Sequence, residues 1–303
     1  MATLVEPNSS LAALRNWAIS TKAVLARFRV PLLTFAAVLF CAGIIWSIRS
    51  LGLQWSHVSL VPVAILAIII APLSIAYSAV NMQLMSKAIG TRIGFLQAVQ
   101  ISAYAQIAEL LPIPGGAIVR TAALVKSGGK TGNSAGLVLT FALLWICVAI
   151  VGCGLALLEL GPVAWALIIG GLAAICGLCF WLGKVFGWFI AFAAISLRIL
   201  GLAIVSARVV AAFAILGIAL GGLDALIFAF ALIAGSAASI VPAGLGIGES
   251  LSALMAAPTN VAPAAAFMAA ALGRLIGFAV NMFAAFITSA FPMNAHTSSE
   301  HRS

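Results

Sequence analysis

Charged side chains are scarce in this chain. They make up 7% of its 303 residues, against about a quarter in soluble domains. Hydrophobic residues account for 64% of the sequence, and the mean hydropathy is +1.25. This shortage of charge excludes an ordinary soluble domain and predicts an integral membrane protein. The apolar runs are long and unbroken, which indicates helices rather than the alternating strands of a membrane barrel.

Acidic and imidazole side chains are scarcer still, with six Asp and Glu and three His in total. Asp224 is the single aspartate, and the histidines fall in predicted loops or the C-terminal tail. An aspartyl pair, a histidine base or a carboxylate metal site therefore has too few residues inside the membrane. Cys176 and Cys179 have C-x-x-C spacing without further ligands nearby, so we expect them to pack as small apolar residues. We predict no catalytic residue, no metal and no cofactor.

Basic residues outnumber acidic ones by 15 to six, and the net charge is +9. Most of them flank apolar runs, which indicates membrane topology and contact with anionic lipid rather than with nucleic acid. If the basic segment 1–29 is cytoplasmic, later Lys and Arg also fall on that side, including Arg198 and Arg208, and Arg49 alone falls outside. The positive-inside rule thus predicts a multi-pass protein of the bacterial cytoplasmic membrane with both termini in the cytoplasm.

Six apolar runs approach or exceed the length of about 20 residues that a membrane-crossing helix needs. They are 30–48, 60–85, 134–158, 162–183, 203–223 and 263–291. Four shorter runs form two pairs: 94–111 with 116–126, and 225–241 with 245–257.

Each short pair is interrupted by proline and glycine. The first break contains Pro112, Pro114, Gly115 and Gly116, and the second contains Pro242, Gly244, Gly246 and Gly248. Such breaks predict re-entrant hairpins, whose non-helical tips must be buried in protein or line a wet cavity. The distribution of basic residues fits equally well if both pairs cross the membrane fully, so it leaves the depth of the hairpins open.

The order of the runs predicts two repeats of opposite orientation within one transmembrane domain at 30–291. Repeat 1 covers about 60–158 and repeat 2 about 203–291, with an interfacial linker at about 184–207 and a polar tail at 292–303. The predicted fold is an all-α polytopic membrane protein with about six full spans and two re-entrant helical hairpins in an inverted-repeat arrangement.

Five charged residues lie in or beside the hairpins, where a charge at the bilayer centre costs about 2.5–3.5 kcal/mol unless it is paired or hydrated. Polar residues accompany them, including a stripe of Ser74, Tyr77, Ser78 and Asn81, and Asn281 on the face of Arg274. Buried pairs of this kind also fix helix register, and Asp224 also suits a solvated interface. The charged residues are Glu109, Arg120, Asp224, Glu249 and Arg274; the predicted substrate-binding residues are Arg120, Arg274, Glu109, Glu249, Asn81 and Asn281.

The two breaks resemble the signatures of flippase-like membrane proteins related to the transmembrane domain of bacterial lysylphosphatidylglycerol synthases. The first signature matches Leu110-Leu-Pro112, Gly116 and Arg120, and the second matches Pro242-Ala-Gly-Leu-Gly246 with Glu249. Departures include Glu109 where that family commonly has Asn, and Gly248 where it often has a basic residue. The resemblance covers about 30–290 and implies translocation of a lipid between leaflets. The aminoacyl-transferring domain is absent from this sequence, so we expect no lysyl-lipid synthesis from it.

Several functions remain open from the sequence. We predict a translocator of an anionic lipid or lipid-linked molecule, with membrane lipids as partners. A carrier of a small solute, coupled to protons through Glu109 or Glu249, is the first alternative. A scaffold that regulates envelope lipid synthesis is the second. A membrane enzyme is disfavoured, because a Glu109–Glu249 couple would lack a nucleophile or metal.

Overall fold

The computed structural model describes residue 34 and residues 37–52, 59–109, 115–237 and 246–289. The predicted N-terminal segment 1–29, the tail 292–303 and four of the break residues lie outside the described residues. Those four are Pro112, Pro114, Pro242 and Gly244.

Within the described ranges the regular structure is entirely helical, which confirms the all-α part of the predicted fold. Five of the helices are long and apolar enough to cross a membrane. We number ten helices of the described residues in chain order. They are α1 (Ala37–Leu51), α2 (Leu60–Ala88), α3 (Phe95–Ala108), α4 (Gly115–Lys126), α5 (Thr131–Ala156), α6 (Pro162–Phe186), α7 (Trp188–Ile215), α8 (Gly222–Ala237), α9 (Ile247–Leu254) and α10 (Pro263–Ser289). The candidate spans are α2, α5, α6, α7 and α10.

Four of the six predicted spans correspond to α2, α5, α6 and α10. The predicted span at 30–48 is described only in part, as α1, which packs through Phe40 against Phe267 of α10 with ring centroids 6.4 Å apart. Gly43 lies directly beneath the Phe267 ring, so its missing side chain allows this contact.

The predicted interfacial linker at 184–207 does not form an element separate from the following span. The structure has one continuous helix of 28 residues, α7, which begins after Gly187 and includes most of the linker together with the span predicted at 203–223. Gly187 alone separates α6 from α7 and has φ +94°, a conformation that favours glycine. The linker was misplaced because Arg198 interrupts the apolar run, yet Arg198 is 5% exposed and packs between helices.

Helix α7 holds the two halves of the bundle together. Its first half contributes Ile190 and Ala194 to a core formed with α2, α3, α5 and α6. Its second half contributes Val209 and Phe213 to another core formed with α8 and α10. Each half of α7 is buried against different neighbours. One uninterrupted helix therefore keeps its backbone hydrogen bonds while it packs against both cores.

Helix α2 contains a short π-helical segment, Leu66–Ile70, directly before Pro72. Proline has no backbone N–H, so the carbonyl four residues before it has no partner in a regular helix. A π-turn at this position shifts the hydrogen-bond register ahead of the proline and lets the helix continue to Ala88.

The helices before and after α6 make corresponding contacts. In the first set, α2 packs on α3, α3 on α4, and α4 on α5; in the second, α7 packs on α8, α8 on α9, and α9 on α10. The sets also exchange contacts, because α5 packs on α8 and α10 packs on α3. The side-chain amide of Gln100 in α3 donates to the backbone carbonyl of Thr288 in α10. Each hairpin therefore has one helix packed against the opposite set, α3 against α10 and α8 against α5.

Candidate functional site

The first hairpin brings Glu109 and Arg120 together. Glu109 follows the last residue of α3, and α4 begins at Gly115. A Cβ atom on Gly116 would lie 2.5 Å from Glu109 Oε1, so this glycine lets the carboxylate lie against the start of α4. Arg120 is one turn further along α4, and its Nη2 is 3.6 Å from Glu109 Oε1. The Arg120 side chain is 23% exposed and the Glu109 side chain is 41% exposed, so this pair is loose and accessible.

The second hairpin contains a tighter and fully enclosed pair. Arg274 Nε of α10 is 2.8 Å from Glu249 Oε1 of α9, and the Glu249 side chain is 0% exposed. The other carboxylate oxygen of Glu249 accepts the backbone N–H of Gly246 at 2.8 Å, which caps the start of α9. Gly246 has φ +80°, a left-handed conformation that glycine adopts without strain.

Glycine also makes room for Arg274. A Cβ atom on Gly248 would lie 2.7 Å from Arg274 Nη2. The guanidinium of Arg274 occupies the space that a side chain at position 248 would need. On its other side, Gly248 meets Gly235 of α8, where an added Cβ would be 2.6 Å from the Gly248 nitrogen. The second hairpin thus closes by direct backbone contact between α8 and α9.

A cavity of about 210 Å³ lies between the two hairpins and the helices α5, α7 and α10. Its wall is mainly apolar, with Phe213, Phe228 and Ala270 among the lining residues. Seven polar or charged residues also line it: Gln106, Glu109, Arg208, Ser236, Ser252, Arg274 and Asn281. Of the predicted site residues, Glu109, Arg274 and Asn281 reach the cavity directly, while Glu249 and Arg120 contact it through their ion-pair partners.

Arg208 is the principal residue that the sequence analysis missed. It was assigned to the cytoplasmic side, but it projects from α7 into the cavity wall. Its Nη2 donates to the backbone carbonyl of Gly273, and a Cβ atom on Gly277 would lie 2.9 Å from its Cζ. Gly273 and Gly277 are four residues apart on α10, so together they form a flat bed for the guanidinium. The G-x-x-x-G spacing was the signal that sequence reasoning overlooked.

Asn81 lies outside this cavity, which corrects its predicted position. Its Oδ1 accepts a hydrogen bond of 3.1 Å from Arg198 Nη2, and the hydroxyl of Tyr77 accepts one of 2.9 Å from Arg198 Nη1. The polar stripe on α2 is therefore present, but two of its four residues, Tyr77 and Asn81, accept hydrogen bonds from the buried Arg198. The Arg198 guanidinium also lies 5.5 Å from the ring centroid of Trp145, which lines the cavity on another side.

Asp224 does not join the cluster. It lies in the first turn of α8, at the opposite end of that helix from Ser236, and is half-buried. A carboxylate in this position is stabilised by the partial positive charge of the helix N-terminus. The solvated-interface interpretation therefore fits Asp224 better than a role in the cavity.

Positive charge exceeds negative charge around the cavity. Arg208 and Arg274 line it, Arg120 is paired behind Glu109, and Arg198 lies beyond Trp145. The two carboxylates beside these four guanidinium groups are Glu109 and Glu249, which leaves an excess of two positive charges. Neither Arg198 nor Arg208 has a carboxylate partner within the described ranges.

No family model matches this sequence, and no curated protein matches it. The resemblance to flippase-like proteins therefore stays a prediction based on the two break motifs. Within the described residues there is also no group of three His, Cys, Asp or Glu side chains that could hold a metal ion. The residues at the cavity suit the binding of an anion, because guanidinium groups bind carboxylate and phosphate in bidentate geometry.

Proposed function

We propose that this protein binds the anionic head group of a lipid or lipid-linked molecule in the cavity and moves it between the leaflets of the membrane. The observation that carries the proposal is the cavity with Arg208 and Arg274 in its wall, inside an apolar helical bundle with an excess of positive charge. Two unbalanced charges in such surroundings are unfavourable on their own. A bound anion supplies the missing negative charge.

The corresponding contacts of the two helix sets support an inverted-repeat arrangement. The helix α6 separates two sets of four helices, so the second set starts from the opposite side of the membrane if each helix reverses direction. In transporters with this plan, broken helices meet at a central site and the two repeats rock about it. Glu109 and Glu249, on the two hairpins, both reach the cavity region, which fits that plan.

Basic residues support the predicted orientation. Lys87, Arg92, Lys126, Lys130 and Lys184 fall at helix ends or in the connections α2–α3, α4–α5 and α6–α7. If the two hairpins return to the side from which they enter, all three connections lie on one side. The positive-inside rule assigns that side, and both chain termini, to the cytoplasm.

In the resulting mechanism, the carboxylates hold the arginines in place until an anion arrives. Glu249 keeps Arg274 extended toward the cavity, and Glu109 keeps Arg120 at the tip of the first hairpin. The head group binds Arg208 first, because this guanidinium has no carboxylate to displace. The loose Glu109–Arg120 pair then yields more easily than the enclosed Glu249–Arg274 pair, so the first hairpin is the element that moves.

Lipid movement in proteoliposomes tests the function. Wild-type protein should speed the exposure of fluorescent phosphatidylglycerol to an impermeant quencher, and Arg208→Gln and Arg274→Gln should abolish this acceleration. Arg92→Gln removes the same charge from an exposed connection and should leave the rate unchanged. Unchanged rates in both cavity variants would refute the proposal. Arg208-dependent uptake of a soluble anion without lipid movement would assign the cavity to a small-anion carrier instead.

A further inference from the structure

The charge balance at the cavity bears on how many negative charges the head group carries, and not only on the fact that the head group is negative. Glu249 already neutralises Arg274, and Glu109 is shared with Arg120. Within the part of the chain that the structure describes, Arg208 makes a single hydrogen bond, to a neutral backbone carbonyl. Arg198 is held by a hydroxyl and an amide, which are also neutral. The two excess charges therefore belong to Arg208, in the cavity wall, and to Arg198, behind Trp145.

Two neutral polar groups of the cavity, the hydroxyls of Ser236 and Ser252, already donate their hydrogen bonds to the backbone. The hydroxyl of Ser236 donates to the carbonyl of Ile233 at 2.8 Å, and that of Ser252 donates to Gly248 at 2.8 Å. Both hydroxyls therefore present lone pairs to the cavity instead of hydrogen-bond donors. Buried Oδ1 of Asn281, another acceptor, has no hydrogen-bond partner within the described residues. The hydrogen-bond donors left for an anion are the guanidinium groups and the side-chain amides of Gln106 and Asn281, and among these only the guanidinium groups carry a charge that distinguishes ligands of different charge.

We infer that the cavity selects a head group that ends in a phosphomonoester over one that carries only a phosphodiester. This inference rests on the proposed function and specifies its substrate class. A phosphomonoester carries about −1.5 to −2 charges near pH 7, close to the summed charge of Arg208 in the cavity wall and of Arg198, which acts from behind Trp145 without touching the ligand. A phosphodiester carries one charge and offsets less of this sum. The terminal oxygens of the phosphomonoester also allow bidentate contact with Arg208 while a further oxygen faces Arg274.

The unpaired acceptors complete this assignment. The minor form of the phosphomonoester with one proton carries one negative charge, as a phosphodiester does, but unlike the phosphodiester phosphate it has a hydroxyl that donates a hydrogen bond. The open Oδ1 of Asn281 and the lone pairs of Ser252 provide acceptors on the same wall as Arg274. A zwitterionic head group would instead place its ammonium group near two guanidinium groups, which is unfavourable.

Binding to the purified full-length protein in detergent tests the inference without requiring transport. Short-chain phosphatidic acid, phosphatidylglycerol and phosphatidylcholine are titrated at pH 7.5, with inorganic phosphate as a competitor. We expect phosphatidic acid to bind at least about tenfold more tightly than phosphatidylglycerol, the effect of one charge-assisted hydrogen bond. Arg208→Gln should remove this preference, and Arg92→Gln should retain it.

A second variant tests the same contact in case Arg208→Gln does not fold. Gly277→Ala keeps every charge but places a methyl group where the Arg208 guanidinium lies, so it should also reduce the preference for phosphatidic acid. Equal affinity for phosphatidic acid and phosphatidylglycerol in the wild type would overturn the inference and leave the anionic-lipid function standing. Inorganic phosphate that competes at the same concentration as phosphatidic acid would uphold phosphomonoester recognition but overturn the lipid function. Absence of binding by any anion would overturn both.

Discussion

The two ion pairs at the hairpins should differ sharply in their contribution to stability. Glu249→Gln removes the negative charge beside Arg274 while it preserves the size of the side chain. Gln offers one acceptor and one donor, but its neighbours, Arg274 Nε and the Gly246 N–H, are both donors. One of the two contacts is therefore lost, and Arg274 loses the carboxylate that lies against its Nε, close to the second guanidinium group, Arg208.

The expected magnitude follows from burial and distance. Removing one partner of a buried pair typically costs about 3–5 kcal/mol, and Glu249 is 0% exposed with its partner at 2.8 Å. The matched change Glu109→Gln affects a pair at 3.6 Å whose side chains are 23% and 41% exposed. An accessible pair of this kind contributes about 0–1 kcal/mol. We therefore expect Glu249→Gln to destabilise the protein by several kilocalories per mole more than Glu109→Gln.

Reversible unfolding of the purified protein, followed by circular dichroism in mixed micelles of increasing SDS content, measures both effects. The double variant Glu249→Gln with Arg274→Gln should recover part of the loss, because no unbalanced charge remains at that position. Equal unfolding free energies for Glu249→Gln and Glu109→Gln would refute the reasoning, since the enclosed pair would then contribute no more than the accessible one.

Two further predictions concern packing and the second buried arginine. Gly235→Ala places a Cβ 2.6 Å from the backbone nitrogen of Gly248, and such overpacking should cost about 1–3 kcal/mol in the same unfolding assay. The control Gly177→Ala has nothing within 4 Å of the new Cβ and should leave stability unchanged or slightly higher; equal losses in both variants would contradict the close contact of α8 and α9. Arg198→Gln removes donors from two buried acceptors and should cost about 1–3 kcal/mol, whereas Arg92→Gln should be neutral. A neutral Arg198→Gln would show that these hydrogen bonds are replaced.

The pairing of charges at the breaks was accessible to sequence reasoning because the partners are close along the chain or share a motif. Glu109 and Arg120 lie on either side of one hairpin tip, so local geometry brings them together. Glu249 and Arg274 were expected to pair because isolated charges are unfavourable inside an apolar bundle. The structure added the difference between the two pairs, which depends on how α8 and α10 enclose Glu249.

The positions of Arg198 and Arg208 could not be derived in the same way. Both lie on α7, whose other residues are almost uniformly apolar. In a soluble helix the polar face marks the solvent side, but in a membrane helix the lipid-facing and protein-facing sides are both apolar. The pattern therefore gave no indication of which neighbours each arginine meets, and Asn81 was placed in the wrong group for the same reason.

The sequence by itself determined the helical membrane class, four of the candidate spans and the two charged breaks. Each of these depends on composition or on residues close together in the chain, where chain geometry leaves few choices. Only the tertiary structure decided that α7 is continuous, that Arg208 lies on the Gly273–Gly277 bed and that the cavity has an excess of positive charge. These features depend on which helices pack together across the bundle, and side chains far apart in sequence acquire their electrostatic surroundings only through that packing.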